Sequence, residues 1–188
     1  RLEETHRAVI AAAYDNLAGT AQVHRAVLAL MSADGFEAFL DRLGGEVADI
    51  LRVDAVRLVL ESAALTAPDA TGRQARREAI GLEARLGPVL LMRPAGFSAR
   101  YAAEGQAGGS DPGVILRPVD PRAHGPFGDD DPAIASEALI RLDLGPSRQG
   151  ALLALGAADP HRFTPAHGTD LLAFLGGVLA REVGRFLG

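Results

Sequence analysis

Arginine is the residue type from which any cationic chemistry in this chain must be built. The 188-residue sequence has 19 basic residues, all arginine, and it contains neither lysine nor cysteine. That excludes a Schiff-base lysine, a Walker A loop, a cysteine nucleophile, a zinc–thiolate site and a disulfide scaffold. Two arginines stand where an anion could be recognised. On the predicted strand 114–119, Arg117 alternates against Val114 and Leu116. On the predicted strand 136–144, Ala138, Ile140, Leu142 and Leu144 share one face, and Leu139, Arg141 and Asp143 share the other. Both strands flank a Pro/Gly/Asp-rich loop, 120–133, which carries Arg122 and His124. Guanidinium groups so placed could clamp a carboxylate or phosphate bidentately. Arg117, His124, Ser136 and Arg141 therefore form the candidate ligand-binding set. The competing reading pairs Arg141 with Glu137 or Asp143, or lets it reach solvent along its apolar stem.

Other chemistry-bearing residues lack a constellation. Ser98, Ser136 and Ser147 have no nucleophile-elbow context, and no histidine pairs with them, so the expectation is a non-catalytic chain. Asp159, His161 and His167 would be the nearest approach to a metal triad, without tight ligand spacing. Asp129, Asp130 and Asp131 could collect a cation but read better as a solvated acidic turn. Arg73, Arg76, Arg77 and Arg85, interspersed with Glu78 and Glu83, read as a solvated helix face. With a net charge of −5 and no aromatic interleaving, direct nucleic-acid binding is not expected. No cofactor is indicated.

The elements that must position these groups follow from periodicity. Ile10, Tyr14, Leu17, Ala21, His24, Leu28 and Met31 recur at alternating spacings of four and three, which predicts a coiled-coil-like helix over 2–33. His24 on that seam would make the interface sensitive to pH. A second helix is predicted over 36–52, where Gly44 and Gly45 interrupt the pattern. Strands are predicted at 54–61, 88–92, 114–119, 136–144 and 151–157, with the last two joined as a hairpin. Phe97 and Tyr101 pair at i,i+4 on a short helix over 96–104, and a turn covers 105–112. Residues 62–73 read as loop, and 74–85 as an ambiguous, short helical segment. Thr164 and Pro165 read as the cap and first residue of a final helix, 165–187, with Asp170 able to pair with Arg162 across the turn.

Composition sets the remaining bounds. Alanine (35 residues) inflates the hydrophobic fraction of 48%, so large apolar side chains suffice for one core with thin helix contacts. The expected division is a helix over 1–35 and one domain over 36–188. No apolar run approaches the ~20 residues of a membrane span. Absence of cysteine suits a cytoplasmic location.

The block from Gly150 to Leu187 carries a recognisable pattern. Gly156 and Asp159 mark a turn, Arg162-Phe163 and Pro165 follow, and Gly168-Thr169-Asp170 opens the last helix. With Ser136-Glu137-Ala138-Leu139, Val23-His24-Arg25 and Asp54-Ala55-Val56, this resembles a bacterial domain-of-unknown-function family, number 484. Where other members carry serine after the glycine, this chain has Ala157. The resemblance implies an α+β, GAF-like fold. Its central antiparallel sheet would have about six strands, with N- and C-terminal helices packed on one face. It further implies a sensory or scaffold module, homodimeric through helices 2–33 and 165–187. A small-molecule ligand would lie between the sheet and the opposite-side helix and loops. The alternatives are a ligand-free adaptor for a partner protein and, furthest from the residues seen, an enzyme on the same scaffold.

Overall fold

Val56, Leu58 and Leu60 alternate along the first strand and commit one face of the sheet to a helical layer, while Arg57, Val59 and Glu61 face the other way. The computed structural model describes residues 2–104, 113–120, 125–128, 131, 133–146, 148–164 and 169–188. In the first helix the described side chains are Thr5, Arg7 and those from Leu17 onward, so His6, Ile10 and Tyr14 lie outside them. The elements are α1 (Leu2–Met31), α2 (Phe36–Arg42), a π-helical turn (Leu43–Val47), α3 (Ala48–Leu51) and β1 (Ala55–Ser62). A 3-10 turn (Ala63–Thr66), α4 (Ala70–Leu86), β2 (Leu90–Pro94) and α5 (Phe97–Ala103) follow. The chain ends with β3 (Val114–Pro118), β4 (Ser136–Leu142), β5 (Ala151–Ala157) and α6 (Asp170–Leu187).

The sheet has five strands in the order β2-β1-β5-β4-β3, against the expectation of about six. It is also mixed, because β1 and β2 run parallel, with Leu58 opposite Leu90. The cause is α4, which is 17 residues long and serves as the crossover that a parallel pair requires. Its Asp69 caps the helix through Gly72 N–H at 3.2 Å. The segment read as loop and ambiguous helix is thus the helical connection of a βαβ unit. The other pairs are antiparallel, and β5 lies in the middle with all seven residues buried.

On the helical side, Leu30, Phe39, Leu40, Leu43, Leu175 and Leu179 pack against Leu58, Ile140, Leu153 and Leu155. Phe39 and Phe186 join α2 to α6 with ring centroids 5.5 Å apart. The interruption at Gly44-Gly45 is the π-helical turn, and a Cβ on Gly44 would lie 2.3 Å from Val89 Cγ2. Gly176 allows the close approach of α6 to β4, because a Cβ there would lie 2.5 Å from Ile140 Cγ2. Nothing lies within 4 Å of the same position on Gly177. Gly176→Ala is expected to destabilise the fold by about 1–2 kcal/mol through overpacking. Gly177→Ala should stabilise it by about 0.5–1 kcal/mol, because glycine is costly inside a helix. Urea unfolding of the two variants checks both signs.

The final helix starts later than predicted. Its first residue is Asp170, with Thr169 at the cap position, so Thr164 does not cap it. Pro165 and His167 lie outside the described residues. Asp170 does not pair with Arg162. The Arg162 guanidinium instead donates to the Leu51 carbonyl at 2.7 Å, which ties the loop after β5 to the end of α3.

Candidate functional site

The second face of the sheet is where the strand arginines point. Its apolar strip is Val59, Ile115, Leu139, Leu152 and Ala154. α5 lies across it with Tyr101 and Ala102 buried, and Phe97 and Phe127 pack at its margins. Phe97 and Tyr101 do pair at i,i+4, stacked with centroids 5.9 Å apart. Phe127 is accommodated because the facing residue is Gly156, where a Cβ would lie 2.8 Å from Phe127 Cζ.

α5 is seven residues long, too short to hold itself. Polar contacts with the sheet fasten it at both ends. At its start, the Glu61 carboxylate accepts from Gly96 N–H at 2.6 Å and Ser98 N–H at 2.7 Å. At the other end, Tyr101 donates its hydroxyl to the Glu137 carboxylate, 2.9 Å from each oxygen. Arg117 Nε donates to the same carboxylate at 2.8 Å. The Arg117 guanidinium also donates to the Tyr101 carbonyl at 3.0 Å and to the Glu104 carbonyl. It sits over the Tyr101 ring, 4.7 Å from its centroid.

Glu137 has no exposed side-chain surface, whereas Arg117 retains 15%. Burial pushes the Glu137 carboxyl above its ordinary range, and the Arg117 and Tyr101 hydrogen bonds pull it back only in part. Burial and the neighbouring Glu137 charge together push the Tyr101 phenol up as well, so it stays a donor. Tyr101→Phe removes a hydrogen bond to a charged acceptor and is expected to cost about 1.5–3 kcal/mol. A fall in thermal midpoint, with the sheet's circular dichroism retained, checks this.

The three described candidate ligand residues, Arg117, Ser136 and Arg141, do not meet at one point. Arg117 and Arg141 share the second face, but Arg117 is opposite Glu137, and Arg141 lies four residues further along the same strand. At the rise of a strand that is about 13 Å, and the Arg117 guanidinium is already held by the Glu137 carboxylate and the Tyr101 carbonyl. Ser136 faces the helical layer instead, where its hydroxyl donates to the Asp159 carbonyl at 2.6 Å and accepts from Phe163 N–H at 3.3 Å. His124 lies outside the described residues. Arg141 is exposed at the hairpin end of the sheet and lines, with Arg148 and Gln149, a hollow of about 440 Å³.

Sequence reasoning offered Glu137 as a partner for Arg141. The strand register gives it to Arg117 instead. Tyr101 and Glu61 were not anticipated as polar fasteners. An acidic residue within an otherwise buried strand was the available signal for Glu137, because such a group requires a partner. Asp131 likewise pairs with Arg57 on β1, so one member of the acidic run at 129–131 is spent on a structural ion pair. Among the described residues, no three His, Cys, Asp or Glu side chains are grouped to hold a metal. Nor, among those residues, is any helix long and apolar enough to cross a membrane.

The site is a fastened α5 on a mixed sheet, in a protein of the α+β class. Residues 113–188, spanning β3 to α6, match the model of the family described as Protein of unknown function, DUF484. Glu137, Arg117 and the Arg162-Phe163 pair all fall within the matched region. No curated protein matches the chain.

Proposed function

We propose that this chain is a non-catalytic scaffold module of GAF-like kind that assembles as a homodimer through α1 and α6. The observation that carries the reading is the outward stripe of α1. Successive helical residues are about 100° apart. Val23, Ala26 and Leu30 therefore share the face that packs on the sheet domain, and all are buried. Leu17, Leu28 and Met31 lie on the opposite face and are 67%, 68% and 57% exposed. Ala21 and His24 complete the same row. The helix thus carries two apolar faces, one used within its own chain and one left outside, at the heptad spacing that seats knobs in the holes of a like helix.

A second copy is the occupant that this pattern fits. The row is self-complementary under a two-fold axis, as an isologous interface must be. Phe174, 51% exposed on the neighbouring α6, extends the apolar surface beyond the single helix. The filled second face supports a scaffold over an arginine-clamp sensor, because Glu137 already occupies Arg117 and α5 covers the apolar strip. Sedimentation of the purified chain at high micromolar concentration is expected to show a dimer. A monomer there would overturn the reading.

A further inference from the structure

A hollow of about 170 Å³ lies on the helical side of the sheet, under the junction of α1 and α6. Val23 of α1, Leu51 at the end of α3, Leu155 of β5, Phe163, and Leu171 and Leu172 of α6 give it apolar walls. This is a different place from the α5 face. Its polar rim is formed by Gln22 and Arg162.

Arg162 is exposed, and its hydrogen bond to the Leu51 carbonyl holds the guanidinium across the lip of the hollow. That bond uses one of the five guanidinium N–H donors. Among the described residues Arg162 has no ion pair. A cation fixed at the mouth of an apolar cavity matches a ligand with an anionic head and a short apolar tail. A cavity of about 150 Å³ lined by aliphatic and aromatic side chains stays dry and admits a benzene-sized guest, so the tail is of about six carbons at most.

We propose that this hollow is a binding site for a small amphipathic carboxylate. The apolar tail displaces no protein hydrogen bond and gains burial against Val23, Leu155 and Leu172. The carboxylate meets the free N–H donors of Arg162 as a charge-assisted pair. Because the walls include α1 and α6, the bound acid would touch both terminal helices at once.

Hexanoate, hexan-1-ol and acetate are the probes. Each is titrated into the chain with its methyl groups labelled for NMR. Hexanoate is expected to give saturable shifts at the methyls of Val23, Leu51, Leu155, Leu171 and Leu172. It should bind about tenfold more tightly than hexan-1-ol, the worth of one charge-assisted hydrogen bond. Acetate, which lacks the tail, should leave those methyls unmoved. Arg162→Gln is expected to bring hexanoate down to the level of hexan-1-ol, and Arg162→Lys to keep most of the preference. Val23→Phe fills the hollow and should abolish both shifts. If that variant does not fold, Leu172→Phe fills it from the half-buried α6 side. The proposal is overturned if no shift saturates, or if the filled variants still bind. It is equally overturned if hexan-1-ol binds as tightly as hexanoate, which would mark the hollow as a socket for a partner's apolar side chain.

Discussion

Arg117→Met is expected to lower stability by about 3–5 kcal/mol at neutral pH, and by progressively less as the pH falls. Removing one partner of a buried ion pair leaves the other charge uncompensated, which is the costly way to break it. Here the survivor is Glu137, whose side chain has no exposed surface. Tyr101 would remain as its hydrogen-bond donor, but a neutral donor does not offset a full buried charge. The pH dependence follows from the direction of the Glu137 shift. Its carboxyl is raised in the folded chain by burial, so the native state holds its proton to higher pH than the unfolded chain does. The stability linked to that proton is fully present below the unfolded carboxyl pKa. It is lost as pH rises through the native one. Removing the Arg117 charge takes away the interaction that lowers the native value, so the loss extends upward and deepens at neutral pH. The difference in urea midpoint between wild type and Arg117→Met, measured from acid to neutral pH, should therefore widen as pH rises. A gap that stays constant would assign the loss to guanidinium packing on the Tyr101 ring instead.

The second large effect concerns assembly and should leave the fold intact. Leu17→Glu together with Leu28→Glu is expected to give a monomer at concentrations where the wild type is dimeric, with a shift in dimer dissociation constant of at least about a hundredfold. Each leucine is two-thirds exposed in the single chain, so neither change opens the core. In a dimer the same positions would be knobs, and burying a carboxylate without a partner there is unfavourable. The control is Leu30→Ala on the opposite face of α1. Leu30 is fully buried in its own domain, so that change should cost about 2–5 kcal/mol of stability, whatever the oligomeric state. Sedimentation and thermal unfolding, run on both variants, separate the two faces of the helix. A double glutamate variant that sediments like the wild type would show that the outward row is not the interface.

Much of the fold could be read from local pattern. The helix over residues 2–31, the hairpin of β4 and β5, and the short helix at 97–103 each carry a period or a turn signal that needs nothing beyond neighbouring residues. The α4 crossover was less legible. Its mean pattern is polar, with Arg73, Arg77 and Ile80 on the exposed side, so the apolar periodicity that announces a helix is weak. Missing it meant missing the parallel pair, since β1 and β2 can run parallel only if something long connects them. The start of α6 was misplaced because Thr164-Pro165 has the chemistry of a helix start, and Thr169-Asp170 has it too.

The sequence by itself determined which chemistries are open to this protein. With no lysine and no cysteine, every strong cationic contact is an arginine contact, at Arg57, Arg93, Arg117 and Arg162 alike. It also set the heptad row of α1 that includes Leu17, Leu28 and Met31, because a helix's faces follow from spacing alone. Only the tertiary structure decided what the arginines do. Arg117 and Arg141 share a face by alternation, but partners on a sheet are assigned by register, and register depends on how strands from distant parts of the chain align. That alignment put Glu137 opposite Arg117, left Arg141 at the hairpin end, and turned a candidate ligand clamp into the fastening of α5. It also set Arg162, unremarkable in the sequence beyond its motif, at the lip of a hollow between helices that are more than a hundred residues apart in the chain.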